Sequence, residues 1–167
     1  MNEVTTSLTR STIDSPSSQY VKYNMADPKH THLTRSAHKI IPHLTCSDIH
    51  RTKDFYTNSL HFELGEFHPD NKPSPMISVF MGAKAEANIY IFQVEEGEEV
   101  KTRRVMVGLG KEELDQFHKI LVEEGRVEIV DGHDADGGLR DREWGMRQFE
   151  VKDGDGNGIQ FWAFLED

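Results

Sequence analysis

His43, Arg104 and Gln160 carry side chains that could bind or transform a small molecule. An imidazole changes its charge near neutral pH, so His43 is a candidate general base as well as a candidate ligand-binding residue. The alternative is a hydrogen-bonded or pocket-lining histidine, because the sequence assigns it no carboxylate partner. Arg104 could hold an anionic group or form a salt bridge with the acidic surface. Gln160 could help to orient a bound substrate.

Aromatic side chains could complete such a site by stacking on a flat ligand, although aromatic residues on strands also pack into cores. The candidates are Tyr90, Phe92, Trp144 and Trp162. Cys46 follows His43 by three residues, and side chains alternate between the faces of a strand. A nucleophilic Cys46 activated by His43 is therefore not expected.

The composition of the chain restricts its partners. Hydrophobic residues make up 36% of the sequence and charged residues 29%, and no apolar run approaches the roughly 18 residues that a membrane span requires. The net charge of −10 would repel a nucleic-acid backbone. We therefore expect a small-molecule partner, with neither a membrane nor a nucleic acid. The single Cys46 cannot form an internal disulfide, which favours a cytoplasmic location.

Residues 1–38 differ from the rest of the chain. They are rich in Ser and Thr and have only scattered apolar residues, so they cannot bury enough surface to offset the entropy of ordering. This predicts a disordered N-terminal arm, followed by one domain over residues 39–167. A targeting leader is the alternative for the arm.

The domain contains one pattern of elements twice, in halves of about residues 39–96 and 101–167. In each half an alternating apolar run predicts a strand, an amphipathic stretch predicts a helix, and further short runs predict three more strands. In the second half we place the first of these three strands at RVEIVD, residues 126–131, and read DGDGNG, residues 153–158, as a tight turn. Two βαβββ halves indicate an α+β fold with a curled mixed sheet, a concave pocket and helices on the outer face.

Two segments resemble the ends of a known domain. IPHLTCSDIHRTKDFYTNSLHFELGEF, residues 41–67, is similar to the opening of the vicinal oxygen chelate superfamily, the group of glyoxalases, bleomycin-resistance proteins and extradiol dioxygenases. WGMRQFEVKDGDGNGIQFW, residues 144–162, is similar to its closing signature. The resemblance covers residues 39–167. It implies a homodimer with pockets in its concave sheets.

Enzymes of this superfamily generally hold a divalent metal ion on the first and last strands of each half. The resemblance places the corresponding positions of this chain at Ile41, at Tyr90 or Phe92, at Arg104 and at Gln160. None of these side chains is a good ligand, and arginine brings a fixed positive charge. The departures group the chain with the bleomycin-resistance type, which binds a ligand without a metal cofactor.

We therefore expect a metal-free binding protein for sequestration, resistance or handling of an aromatic or anionic metabolite. Its expected ligand-binding residues are His43, Tyr90, Phe92, Arg104, Trp144, Gln160 and Trp162. The alternative is a glyoxalase-like lyase, isomerase or dioxygenase. It would use His43 in acid/base catalysis, or with a nonstandard site for a divalent metal such as zinc, nickel or iron.

Overall fold

A computed structural model of the chain describes residues 39–132, 134 and 137–166. The predicted disordered arm, residues 1–38, lies outside the described residues. The described part of the chain forms two βαβββ halves, which confirms the predicted α+β fold.

The first half forms a four-stranded mixed sheet in the order β1-β4-β3-β2, in which β1 runs parallel to β4 and the other pairs are antiparallel. Its helix α1 begins after Asp48, whose carboxylate accepts hydrogen bonds from the amides of His50 and Arg51. The helix continues into one π-helical turn. The elements are β1 (His43–Cys46), α1 (Ile49–Asp54), the π-helical turn (Phe55–Ser59), β2 (Glu63–His68), β3 (Met76–Met81) and β4 (Ala87–Gln93).

The second half repeats this arrangement in the order β5-β8-β7-β6, again with one parallel pair, β5 and β8. Its helix α2 ends at Gly125, which takes the left-handed conformation with φ 60° that glycine adopts without strain. The elements are β5 (Arg104–Gly108), α2 (Lys111–Glu124), β6 (Arg140–Arg142), β7 (Met146–Lys152) and β8 (Gly158–Phe164).

The prediction of a strand over residues 126–131 is wrong. This segment forms only one isolated bridge, between Ile129 and Val151, and the edge strand of the sheet is Arg140–Arg142. The apolar alternation of residues 126–131 serves to bury Ile129 beside β7 rather than to form a ladder. The strand lies instead in the polar stretch RDR, which has no apolar alternation.

The hydrophobic core lies between the sheets and the helices. Leu44, Val105, Val107, Ile159 and Phe161 are buried there, as the alternation of their strands predicts. The same alternation, extended backwards along the chain, would place Ile40 on this face, but Ile40 is exposed. Its backbone lies before β1 begins, so the alternation does not extend to it.

A buried polar network joins the two halves near β1. Asn157 in the turn before β8 donates to the backbone carbonyl of Thr45 at 3.0 Å and to Oδ2 of Asp153 at 2.9 Å, and its carbonyl accepts from the Arg103 amide at 3.0 Å. The hydroxyl of Tyr56 donates to Oδ2 of Asp153 at 3.2 Å. The predicted tight turn therefore holds β1 in position relative to the start of β5 through these hydrogen bonds.

Candidate functional site

Each sheet buries one face in the core and turns the other away from it, and we call the second the open face. On the first sheet the open face carries His43 and Thr45 of β1 together with Tyr90 and Phe92 of β4. On the second sheet it carries Arg104, Met106, Gln148, Glu150, Gln160 and Trp162. Strand alternation explains the assignment, because the residues between these positions, such as Leu44, Phe149 and Phe161, are buried in the core.

Three rings form a cluster on the open face of the first sheet. His43 stacks on Tyr90 with 5.8 Å between ring centroids and an interplanar angle of 17°, and it contacts Phe92 at 5.2 Å with the planes tilted by 51°. The parallel pairing of β1 with β4 sets His43 opposite Tyr90. His43 is exposed, and the two aromatic rings are half-buried. Such a cluster presents flat apolar surface to a ligand.

His43 has no hydrogen-bonded carboxylate among the described residues. A general base usually has a second group that orients its ring and stabilises the protonated form. The contacts of His43 are instead those of a stacking residue. The geometry therefore favours its binding role over its catalytic role.

Arg104 forms a two-point ion pair with Glu150 across the second sheet. Its Nε donates to Oε1 of Glu150 at 3.2 Å, and its Nη2 lies 3.1 Å from Oε2. The pair spans β8 by passing over Gly158, where a Cβ atom would lie only 2.5 Å from Oε1 of Glu150. The glycine thus leaves room for the ion pair, and the carboxylate offsets the charge that we expected to hold an anionic ligand.

Trp162 lies over the neighbouring strand on the same open face. A Cβ atom on Gly108, its partner in β5, would lie 3.1 Å from Cζ2 and 3.3 Å from Cε2 of the indole. The far side of Trp162 contacts Phe164 edge-on at 4.9 Å. The half-buried indole is therefore packed against the backbone of Gly108 and the ring of Phe164.

Trp144 lies apart from these groups, in the turn between β6 and β7, and it is exposed. The guanidinium of Arg142 lies 5.9 Å from its ring, a cation–π distance. Nε of Arg142 is buried without a hydrogen-bond partner among the described residues. Within the described residues, the Arg142 guanidinium forms no ion pair.

The structure brings the expected residues together in two groups. His43, Tyr90 and Phe92 are in contact on the first sheet, whereas Arg104, Gln160 and Trp162 share the open face of the second. Within the described residues no ring contact, hydrogen bond or ion pair joins the two groups. The halves approach each other between them, because the hydroxyl of Thr45 donates to the Lys101 carbonyl at 3.3 Å.

Sequence reasoning did not identify two residues of the second sheet, Gln148 and Glu150. The alternation within RQFEV, residues 147–151, could have identified them. Phe149 and Val151 are buried in the core, so Gln148 and Glu150 must lie on the opposite face of the strand. The pairing of Glu150 with Gln160 and of Gln148 with Trp162 then places them beside the expected residues.

The described residues do not fit a divalent metal ion. No group of three His, Cys, Asp or Glu side chains among them is arranged to hold one. Both carboxylate oxygens of Glu150 face the Arg104 guanidinium, whose fixed charge would repel a cation. Cys46 is buried as a free thiol in the core, and burial raises its pKa from 9.0 to about 11, so it is a poor metal ligand or nucleophile.

One small cavity adjoins these residues, and a larger one lies apart from them. One of about 120 Å³ lies where the first sheet meets β5, and its lining includes Asn88 and Met106 from the two open faces. Another of about 290 Å³ lies beside the C-terminal end of α2, lined in part by Leu121, Gly125 and Ile129, away from the expected residues. Neither helix of the described chain is both long and apolar enough to cross a lipid bilayer.

Comparisons with known proteins identify relatives of the chain. The model of the Glyoxalase/Bleomycin resistance protein/Dioxygenase superfamily matches residues 31–161. A search of curated proteins finds no match.

Solved structures share the fold at low sequence identity. TioX from Micromonospora sp. ML1 is 18% identical with a TM-score of 0.59, over 77% of this chain and 100% of TioX. TnmS3, described as an antibiotic binding protein from Streptomyces sp. CB03234, is 22% identical with a TM-score of 0.57, over 77% of this chain and 96% of that one. A superfamily member from Sphaerobacter thermophilus is 20% identical with a TM-score of 0.56, over 76% and 97%. At these identities the similarity shows the fold alone.

Proposed function

The chain belongs to the glyoxalase/bleomycin resistance protein/dioxygenase superfamily, and we propose that it is a binding protein that holds an aromatic small molecule without a metal ion. The observation that carries the proposal is the ring cluster of His43, Tyr90 and Phe92 on the open face. Binding would serve sequestration, resistance or the handling of a metabolite. The description of TnmS3 as an antibiotic binding protein gives a precedent within the same fold.

The ring cluster suits a flat ligand for a physical reason. Stacked or edge-on aromatic pairs contribute about 0.5–1.5 kcal/mol beyond the burial of their area. A ligand ring that contacts the cluster would also remove half-exposed apolar surface from water. Trp162, held over Gly108, offers a second flat surface on the other sheet.

The metal-free character of the proposal rests on the residues at the site. The positions at which the superfamily's enzymes gather ligands hold Ile41, an aromatic residue, Arg104 and Gln160 in this chain. The Arg104–Glu150 ion pair lies on the open face of the second sheet, at the end where β5 and β8 begin. Binding by stacking and hydrogen bonding is therefore the chemistry that these side chains can supply.

We also propose that the protein is a cytoplasmic homodimer. Met106 and Phe164 are exposed apolar side chains on the open face of the second sheet, and Trp144 is exposed in the neighbouring turn. A second copy that covered them would enclose the ligand and bury this surface. The buried, unpaired Cys46 suits a reducing compartment. Sedimentation of the full chain tests the dimer, and a sedimenting monomer at micromolar concentration would contradict it.

Titration with a bicyclic aromatic probe tests the binding function. We expect quinoline to bind the full chain in the presence of a chelator and to perturb the NMR signals of His43 and Tyr90. His43→Ala should weaken binding about tenfold, because it removes a stacking partner worth about 1.4 kcal/mol.

The matched control is His50→Ala. His50 also contacts an aromatic ring, Phe67 at 5.3 Å, but it lies on α1 and not on the open face. Its replacement should leave the affinity unchanged. Equal affinities of the two variants, or binding that requires an added divalent metal, would refute the proposed site.

A further inference from the structure

Two buried glutamine amides lie side by side on the open face of the second sheet. Gln148 is 8% exposed and Gln160 is 9% exposed. The register pairs Gln148 with Trp162 and Gln160 with Glu150, so the two glutamines are diagonal neighbours on β7 and β8. Neither side chain has a hydrogen-bond partner among the described residues. They therefore differ from ordinary surface glutamines, which remain solvated.

An unpaired amide in a nearly buried position is unfavourable. A glutamine side chain offers one carbonyl acceptor and two N–H donors, and buried polar groups of native proteins are nearly always paired with protein or water. The side-chain nitrogen and oxygen atoms of Gln148 and Gln160 are not sealed in the core, since the one fully buried unpaired side-chain polar atom of the described residues is Nε of Arg142. The amides can thus be reached from the open side of the sheet, where a ligand would lie.

The neighbouring ion pair sets the charge of this surface. Glu150 is only 15% exposed and engages Arg104 with both of its oxygens. An anionic ligand at Arg104 would have to displace Glu150 or lie against its carboxylate, and either arrangement is unfavourable. The open face around the two glutamines is therefore polar and nearly neutral, with Trp162 as a flat neighbour.

We propose that Gln148 and Gln160 select an uncharged aromatic ligand whose edge carries an adjacent N–H and C=O, as in a lactam, an imide or a pyrimidine-type base. A glutamine amide pairs with such an edge through two hydrogen bonds, one donated and one accepted. The proposal deepens the proposed function and depends on it, because it names the class of the aromatic ligand that the open face would hold. It replaces the anionic ligand that the sequence suggested for Arg104.

The test compares three bicyclic probes of nearly the same size on the full chain. Quinoline has no lactam edge, 2-quinolone has an adjacent N–H and C=O, and quinoline-2-carboxylate is an anion. We expect 2-quinolone to bind about tenfold more tightly than quinoline, which corresponds to about 1.4 kcal/mol, and quinoline-2-carboxylate to bind no better than quinoline.

The variants Gln148→Leu and Gln160→Leu assign the preference to the two amides. Each should reduce the preference for 2-quinolone over quinoline to less than about threefold. The matched control is Gln93→Leu, since Gln93 also lies on a strand but its carbonyl already accepts from the Ile49 amide. Gln93→Leu should keep the preference for 2-quinolone over quinoline. Circular dichroism verifies that each of the three variants is folded.

The possible failures are distinct. Equal binding of quinoline and 2-quinolone, or a preference that survives both leucine substitutions, would overturn this inference and leave the proposed function standing. Tightest binding of quinoline-2-carboxylate would assign the site to an anion, held by Arg104 or by Arg142. Binding of none of the three probes would overturn the proposed function and this inference together.

Discussion

Replacement of Asn157 by Ala should destabilise the domain more than almost any other polar substitution. The Asn157 side chain is fully buried and makes three hydrogen bonds, to the Thr45 carbonyl, to the Asp153 carboxylate and from the Arg103 amide. Alanine would leave the Thr45 carbonyl and the Arg103 amide without these partners. It would also remove one donor to a buried carboxylate.

The magnitude follows from these bonds. A neutral hydrogen bond contributes about 0.5–1.5 kcal/mol net and a bond to a charged group about 1.5–3 kcal/mol, so two of the first kind and one of the second give about 2.5–6 kcal/mol. The free energy of unfolding of a domain is about 5–15 kcal/mol, so the variant should be close to unfolding at 37 °C. Because Asn157 connects the halves, we expect the loss to be global rather than local.

Urea unfolding followed by tryptophan fluorescence measures the effect. The matched control is Asn71→Ala, since Asn71 is exposed and its single hydrogen bond to the Ser74 carbonyl is long, at 3.4 Å. The control should change the free energy of unfolding by less than about 0.5 kcal/mol. A loss below about 1 kcal/mol in Asn157→Ala would refute the inference that this turn holds the two halves together.

Three further predictions concern the core and the open face. In Gly108→Ala the added methyl group would clash with the indole of Trp162. The variant should therefore shift the fluorescence of Trp162, weaken quinoline binding several-fold and lower the free energy of unfolding by about 1–3 kcal/mol. Unchanged emission and affinity would show that the indole does not lie against Gly108. Tyr56→Phe should cost about 1–2 kcal/mol in urea unfolding, since it removes the donor to the buried Asp153 carboxylate, and a neutral substitution would contradict this hydrogen bond. Cys46 should resist iodoacetamide at pH 8 in the native protein and react with it in urea. The free energy of unfolding should fall as the pH rises from 9.0 towards about 11, because the thiol ionises first in the unfolded chain. A Cys46→Ala variant that shows the same fall would exclude the thiol as its cause.

The elements that the sequence predicted correctly are those with a strong local period. Leu114 and Leu121 fall on one face of residues 111–124, and Gly125 ends that helix in the left-handed conformation. The two halves were visible because the same order of short runs occurs twice. The helical period also places Ile120 near this face, but its side chain is exposed, since it lies at the margin of the apolar stripe.

The errors arise where pairing across the sheet decides the outcome. Residues 126–131 have the alternation of a strand, yet β7 takes Arg140–Arg142 as its edge partner. No local pattern distinguishes the two segments, because the choice depends on which one the loop brings alongside Gln148. Strand register is a property of the partner as much as of the strand itself.

The candidate site was only partly visible for the same reason. Strand alternation correctly assigned His43, Tyr90, Gln160 and Trp162 to one face of their strands. The ion pair of Arg104 joins residues 46 positions apart, and a sequence without pairing information cannot find Glu150 as its partner. The change of the expected ligand from an anion to an uncharged molecule follows from that one contact.

Native mass spectrometry of the full chain, combined with elemental analysis, tests the central claim most directly. The protein should be purified without a chelator and then titrated with 2-quinolone before and after treatment with EDTA. We expect a complex of protein and 2-quinolone with less than about 0.1 divalent metal ion per chain and the same affinity after EDTA. One tightly held transition-metal ion per chain, with ligand binding lost on its removal and restored on its return, would contradict it.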